Sequence, residues 1–396
     1  MYPSVTVNRG KEANSIFRHP WIFSGALVAR PPDVADGDLV RVQAQDGRVL
    51  GVGTYSTRSS IAVRLYDFAD VIINAAWFTK RLRESDDRRH LLGFGPDSET
   101  TGYRVAFGEV DGLPGVVLDR YADVLVLQIS TAGAEKLRPQ ILAAIAEVFP
   151  GLALMERSDM PARREEGLEP RQEVVSGQIS GPVEFRESGL KFLADPVGGQ
   201  KTGFYLDQRD LRAAIRRLAA GRTVLNLFSY TGAAGVAALA GGAESVLNVD
   251  SSGPALAQCV DQAKMNKLGV QKMKTEEVDV FQYLGAEHTE KYGMVIIDPP
   301  AIIKSMKDAE EGRKAYHFLN RAALRLVEDG GLLVTSSCSH FFPEEDFAFT
   351  LRRASVQSNR RLDILATARQ AADHPLSVYF PESSYLKSFI GQVRQF

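Results

Sequence analysis

Up to Tyr66 the chain alternates short apolar runs with polar positions, at residues 21–28, 38–43, 48–55 and 61–66, and Gly, Asp and Pro separate the runs. A period of two puts every second side chain on one face of a strand, so residues 1–72 are expected to form a small β-domain or barrel. The segment that follows, 77–92, carries KRLRESDDRRH and reads as a strongly charged helix with a solvated face. Between 103 and 155 strand patterns return (RVAFGEV, GVVLDRY, VLVLQIS), then an amphipathic helix over 135–149 and a strand at 153–158. Residues 73–185 are therefore expected to be a central α+β domain. Residues 158–187 look polar and irregular, and VEFRESGLKFLAD (183–195) looks like a hairpin.

From about Gly203 onward apolar strand runs alternate with helical patterns: helix 210–219, strand 223–228, helix 233–241, strand 245–250, helix 254–268, a short segment 276–280, strand 294–300, a long helical stretch and strand 332–339. Such alternation builds a parallel sheet covered on both faces, so residues 186–396 are expected to be a Rossmann-like α/β domain.

Composition narrows the function. Lys and Arg number 47 against 49 Asp and Glu, a formal net charge of -2, so a nucleic-acid partner would be held by local patches. The 396 residues suggest two or three domains. Two cysteines, Cys259 and Cys338, exclude a disulfide framework and a cysteine-rich zinc site, and no metal is expected. No run approaches the roughly 20 apolar residues of a membrane span, and a cytoplasmic protein without a membrane partner is expected. A homodimer is left open.

Candidate chemistry sits at the carboxyl ends of the C-terminal strands, where open α/β sheets bind ligands. The first strand ends in Asn226-Leu227-Phe228-Ser229-Tyr230-Thr231-Gly232, where Gly232 permits a tight turn and close approach of a cofactor. The loop lacks the GxGxxG phosphate cradle, which argues against a dinucleotide. Asp250 follows about twenty residues later, where an acid accepts from ribose hydroxyls, and Asp279 is placed to accept from an adenine amine. A ribose acid and an adenine acid without a phosphate cradle point to S-adenosylmethionine. The fourth strand ends in Asp298-Pro299-Pro300 and the fifth in Ser336-Ser337-Cys338-Ser339. Neighbouring strands would bring Asp298 and Cys338 to one cleft. A thiolate adding to carbon-6 of a pyrimidine makes carbon-5 nucleophilic, and an acid can bind the ring nitrogen as charge develops there. Cys259 shares a helical face with Leu256 and Ala263 and reads as a core residue.

KTGFYLDQRDLR (201–212), VLNLFSYTGAAG (224–235), VIIDPP (295–300), TSSCS (335–339), RQAADHP (369–375) and FPESSYLKSF (380–389) resemble the bacterial large-subunit ribosomal RNA methyltransferases of the RlmI type. RHPWIFSGA (18–26), GEVDGLPGVVLDRY (108–121) and RSDMPARREEGLE (157–169) extend the resemblance over nearly the whole chain. It implies an N-terminal PUA domain, a central α+β domain and a C-terminal class I methyltransferase domain. The implied activity is S-adenosylmethionine-dependent formation of 5-methylcytosine in 23S rRNA. It further implies Cys338 as nucleophile, Asp298 as the base-contacting acid, Asp250 and Asp279 as ribose and adenine contacts, and Tyr205, Asp207 and Gln208 along the cofactor cleft. The chain departs from such enzymes in having Pro299-Pro300 with no second cysteine beside it, and Ala301 where close relatives often carry Lys. The base that takes the carbon-5 proton is thus unassigned.

For RNA contact, Arg18 and Trp21 combine charge with an aromatic surface suited to phosphate and base stacking, although Trp21 could equally fill a barrel core. Arg163, Arg164 and Lys304 are further candidate phosphate contacts. Two other functions stay open at this point: an exocyclic-amine RNA methyltransferase, which needs no cysteine, and a non-enzymatic RNA-binding protein of ribosome assembly.

Overall fold

The computed structural model describes residues 2–29, 31 and 33–396. By internal contacts these form two units: the first holds residues 1–189, 193–206 and 372–383, the second 190–192, 207–371 and 384–396. The boundaries expected at 72 and 185 both lie inside the first unit, which resumes for residues 193–206 after the short run 190–192.

The first unit contains two five-stranded sheets. In the first, β1 (Ser4–Val7), β2 (Trp21–Phe23), β3 (Leu39–Ala44), β4 (Val49–Tyr55) and β5 (Ile61–Asp67) are ordered β1-β3-β4-β5-β2. β1 runs parallel to β3 and the other pairs are antiparallel. The alternation read from the sequence buries Val5, Val7, Val40, Val42 and Leu65 on one face.

The second sheet holds β6 (Gly102–Phe107), β7 (Val116–Tyr121), β8 (Val124–Ile129), β9 (Ala153–Ser158) and β10 (Arg171–Ser176), ordered β10-β9-β8-β7-β6. β8 and β9 are parallel, which requires the crossover supplied by the helix Arg138–Val148. That helix and the charged helix Ala75–Leu91 bury Ile141, Ile145, Phe78 and Leu82 against Leu118, Leu125 and Leu127 of the sheet. β10 was missed by the sequence reading, because none of its six side chains is buried. The hairpin expected next is β11 (Val183–Glu187) with β12 (Leu190–Ala194).

Residues 372–383, far along the chain, complete the first unit. The Phe380 ring meets Trp21 edge-on with centroids 4.7 Å apart, the Asp373 carboxylate accepts from Arg104 N–H, and its carbonyl accepts from Arg89.

The second unit is built on a seven-stranded sheet of β13 (Thr223–Leu227), β14 (Ser245–Asp250), β15 (Met273–Glu277), β16 (Tyr292–Ile297), β17 (Val327–Ser337), β18 (Arg360–Ala368) and β19 (Lys387–Gln395). Its order is β15-β14-β13-β16-β17-β19-β18. The first five in that row are parallel, as the alternating pattern predicts. β19 inserts antiparallel to β17 and β18 closes the edge antiparallel to β19, a pair the sequence reading did not foresee. Strand order reverses between β13 and β16, so the crevice at their carboxyl ends is the topological switch point where such sheets bind ligands.

Candidate functional site

The loop after β13 is tightly wound. Phe228 and Tyr230 have φ of 57° and 49°, and Gly232 has φ of 74°, three left-handed residues within five positions. For Phe and Tyr this conformation is strained and has to be held by surrounding contacts. The Asp250 carboxylate, at the end of β14, is one such contact: its Oδ2 accepts Tyr230 N–H at 2.8 Å and its Oδ1 accepts Ser252 N–H at 3.0 Å. A carboxylate has about four acceptor sites, so each oxygen retains capacity toward the crevice. Gly232 makes the tight turn the sequence predicts, and a Cβ there would stand 2.4 Å from Cys259 Sγ and 2.9 Å from Cys259 Cβ, so the missing side chain also makes room for the helix Gly253–Met265. Cys259 is fully buried, and burial with the nearby Asp250 charge pushes its thiol up to about 12. It is the core residue the sequence suggested.

Asn226 lies at the same end of the sheet. It is 2% exposed and its amide donates sideways to Asn248 Oδ1 at 2.9 Å, its register partner on β14, so it ties two strands together below the crevice. Phe228 packs edge-on against Phe281, ring centroids 6.1 Å apart. Asp279 is exposed and caps the helix Val280–Gly285, with Oδ1 accepting Gln282 N–H at 3.0 Å. The helix cap thus already uses one oxygen of the residue expected to meet adenine.

Asp207 and Gln208 lie in the second unit, whereas Tyr205 belongs to the first. There the Tyr205 hydroxyl donates to Gln200 Oε1 at 2.6 Å, and the Lys201 ammonium sits 4.3 Å from its ring centre. Asp207 accepts from the Tyr385 hydroxyl at 2.6 Å. Gln208 holds Asp298 directly: its Nε2 lies 2.9 Å from both carboxylate oxygens. Both oxygens of Asp298 thus accept from the same amide nitrogen, which fixes the orientation of the carboxyl group.

β16 and β17 are neighbours with Ile297 opposite Thr335, which puts Asp298 and Cys338 just beyond the carboxyl ends of adjacent parallel strands. The two loops are joined, since Ile303 N–H, shortly after Asp298-Pro299-Pro300, donates to Ser339 Oγ at 3.1 Å. The serines flanking Cys338 are both tied to Tyr316 of the helix Ala309–Leu326: Ser337 Oγ donates to its hydroxyl at 2.9 Å, and Ser339 Oγ lies 3.1 Å from it. Cys338 itself is half-buried. From β19, Lys387 reaches under the same turn and donates to the carbonyls of Ser339 and Phe342 at 2.7 and 2.8 Å. The sequence reading missed Tyr316 and Lys387. A lysine in an otherwise apolar strand segment, LKSFI, is the one local sign that could have drawn attention to Lys387.

The expected RNA contacts divide. Arg18, Arg164 and Lys304 are exposed. Arg163 is not available to a phosphate: it is 2% exposed, and its guanidinium donates to Ile129 O, Glu135 and Glu169 O. Trp21 is half-buried, with Nε1 donating to Glu109 and its ring against Phe380. Among the described residues no helix is long and apolar enough to cross a membrane.

The loop after β13 also carries Ser229 Oγ and Thr231 Oγ1, both buried and without a hydrogen-bond partner among the described residues. Unmatched buried polar atoms at a switch point call for a polar ligand, and together with Asp250 they fit a nucleoside-bearing cofactor. Residues 166–360 match the S-adenosylmethionine-dependent methyltransferase family, and residues 5–68 match the PUA-like domain family. The fold and the crevice are therefore those of a class I methyltransferase, with S-adenosylmethionine as cofactor. Across the whole chain there is 38% identity to the ribosomal RNA large subunit methyltransferase I of Serratia proteamaculans, covering 97% of this chain and 98% of that protein. The corresponding protein of Salmonella paratyphi B is also 38% identical, over 99% and 98%. The chain belongs to this family of ribosomal RNA large subunit methyltransferases I. Among solved structures, the methyltransferase SMU.776 in complex with SAH superposes with a TM-score of 0.85 at 26% identity, covering 98% of this chain and 100% of that one.

Proposed function

We propose that the protein methylates carbon-5 of a cytosine in 23S rRNA of the large ribosomal subunit, with Cys338 as nucleophile and Asp298 as the group that binds the base. Membership of the ribosomal RNA large subunit methyltransferase I family supports the RNA substrate. The observation that carries the chemistry is the placement of Asp298 and Cys338 beyond the ends of adjacent parallel strands, in loops bonded to one another through Ile303 and Ser339.

S-adenosylmethionine supplies an electrophilic methyl group, and Asp250, Ser229, Thr231 and the loop they line would hold its nucleoside. The Cys338 thiolate adds to carbon-6 of the cytosine, and the electron pair of the 5,6 double bond becomes available at carbon-5. Asp298, oriented by Gln208, donates a proton to the ring nitrogen as negative charge builds there, and recovers it once carbon-5 has been methylated. After carbon-5 is methylated its proton leaves to a base, the carbon–sulfur bond breaks, and the thiolate is regenerated. Arg18, Arg164 and Lys304 are exposed cations suited to phosphates of the substrate. Such a substrate implies action in the cytoplasm.

The test is Cys338→Ala assayed on 23S rRNA lacking the modification. Methyl transfer is expected to vanish while cofactor affinity stays within about twofold of wild type, since the thiol adds nothing to cofactor binding. Transfer at the wild-type rate would eliminate the covalent route and favour methylation of an exocyclic amine.

A further inference from the structure

The turn that carries Cys338 is held from below by a buried cation. Lys387 begins β19, directly opposite Ser337 in the β17–β19 ladder, and is only 8% exposed. Two of the three N–H groups of its ammonium go to carbonyl oxygens of the turn, Ser339 O at 2.7 Å and Phe342 O at 2.8 Å. The first of those carbonyls belongs to the residue that follows the cysteine. A lysine used only to close a turn has an expensive charge to keep out of water, and neutral donors could do the same work. Its surroundings explain the charge. The charged and titratable groups that act on it are Cys338 itself, Glu344 at the start of the helix Glu344–Gln357, and Arg369 after β18, which is paired with Glu344 at 2.7 Å. Glu344 is shared with Arg369, and the Cys338 sulfur is the other group whose negative charge would favour the ammonium. Tyr316, the other residue facing the turn, is kept neutral, because burial and then its setting beside Cys338 push its hydroxyl above the ordinary value.

We propose that Lys387 is a positioning residue for the nucleophile: its ammonium pins the Ser339–Phe342 carbonyls and places a fixed positive charge beside the Cys338 sulfur, favouring the thiolate. The thiol proton leaves to water, and no other group changes oxidation or bonding state. The inference rests on Cys338 being the attacking group. Burial lowers the Lys387 ammonium to about 8, against the partly compensating attraction of Cys338 and Glu344, so the group is largely charged at neutral pH.

The experiment measures the rate of iodoacetamide alkylation of Cys338 against pH in the full chain, with the Cys338 and Cys259 peptides resolved by mass spectrometry. In wild type the midpoint is expected below the roughly 8.5 of a free thiol. Lys387→Met should raise it by a unit or more and lower kcat about tenfold at pH 7, with cofactor affinity unchanged and the rate recovering as pH approaches 9. Lys387→Arg, which keeps the charge, should hold the midpoint within about half a unit of wild type. A wild-type midpoint at or above 8.5 overturns the proposal without recourse to any variant, and so does an unchanged midpoint in folded Lys387→Met. If Lys387→Met does not fold, Lys387→Arg decides: a rise of a unit or more with the charge retained overturns the proposal, and a retained midpoint upholds it. Failure of the nucleophile reading is separately visible, as methyl transfer by Cys338→Ala.

Discussion

Asp250→Ala tests whether the cofactor loop is held by the carboxylate that is expected to bind the ribose. In the protein without ligand the substitution removes the acceptors of Tyr230 N–H and Ser252 N–H, at 2.8 and 3.0 Å. Hydrogen bonds to a charged group contribute about 1.5–3 kcal/mol each, and for a half-buried acceptor the lower end applies, giving roughly 3 kcal/mol for the pair. In a unit of this size one kcal/mol corresponds to about 2–4 °C, so the melting midpoint should fall by roughly 6–12 °C. Loss of two ribose contacts removes about 3 kcal/mol more from the complex, close to a hundredfold in Kd. Differential scanning calorimetry of the apo protein reads the first effect and titration calorimetry with S-adenosylmethionine the second. Asp250→Asn keeps one acceptor and should show about half the drop in melting midpoint. A midpoint within 2 °C of wild type in Asp250→Ala would refute the anchoring argument, and an unchanged Kd would remove the residue from the cofactor site.

Three further outcomes are expected. Gly232→Ala combines a left-handed φ of 74° with a Cβ driven onto Cys259. It should cost about 2–5 kcal/mol by urea denaturation, and adding Cys259→Ala should restore part of that, whereas strict additivity would mean that the two residues do not meet. Arg163→Ala removes a buried guanidinium that donates to Ile129 O, Glu169 O and Glu135 and should cost about 3 kcal/mol, while Arg164→Ala at the exposed neighbouring position should change stability by about 0.5 kcal/mol or less and reduce the salt slope of RNA binding by about one. Burial acts to raise the Glu135 carboxyl, but Arg163 and Arg171 outweigh it and hold the group below its ordinary value. Its contribution is therefore present above about pH 4.5 and lost as pH falls further, so Arg163→Ala should flatten the acid limb of the stability curve measured by denaturation at graded pH. Gln208→Met leaves Asp298 without the amide that orients it and should lower kcat about tenfold or more with little change in KM for cofactor; an equal kcat would show that Asp298 needs no such support.

The parallel part of the large sheet was legible because each of its strands is an apolar run followed by a helical pattern, and the chemistry-bearing residues fall where those runs stop. The edge escaped notice for a physical reason: none of the side chains of β18 is buried, so it leaves no period-two signature. Arg163 and Arg164 are indistinguishable in the sequence, and only partners such as Ile129 and Glu135, well over twenty positions away, decide that one is buried and the other exposed. The amide of Asn226 is likewise held by a residue no local pattern indicates, Asn248, a strand neighbour 22 residues on. Cys338, Asp298 and Asp250 drew attention through their positions at strand ends, where the structure places all three. Lys387 and Tyr316, which secure the cysteine turn, approach it from elements that pair with or cover β17, and no local spacing encodes that.

The return of residues 372–383 to the first unit has a consequence for biogenesis. A chain made from its N-terminus exposes residues 1–189 early, yet Trp21, Arg89 and Arg104 do not meet Phe380 and Asp373 until residues 207–371 of the second unit have been made. The first unit is therefore finished only after nearly all of the second has been synthesised. A polypeptide released early, or cut at any single position between 207 and 371, would leave the first unit without its closing segment and with aromatic surface uncovered. Separating the two units thus requires rejoining the chain in a new order rather than truncating it.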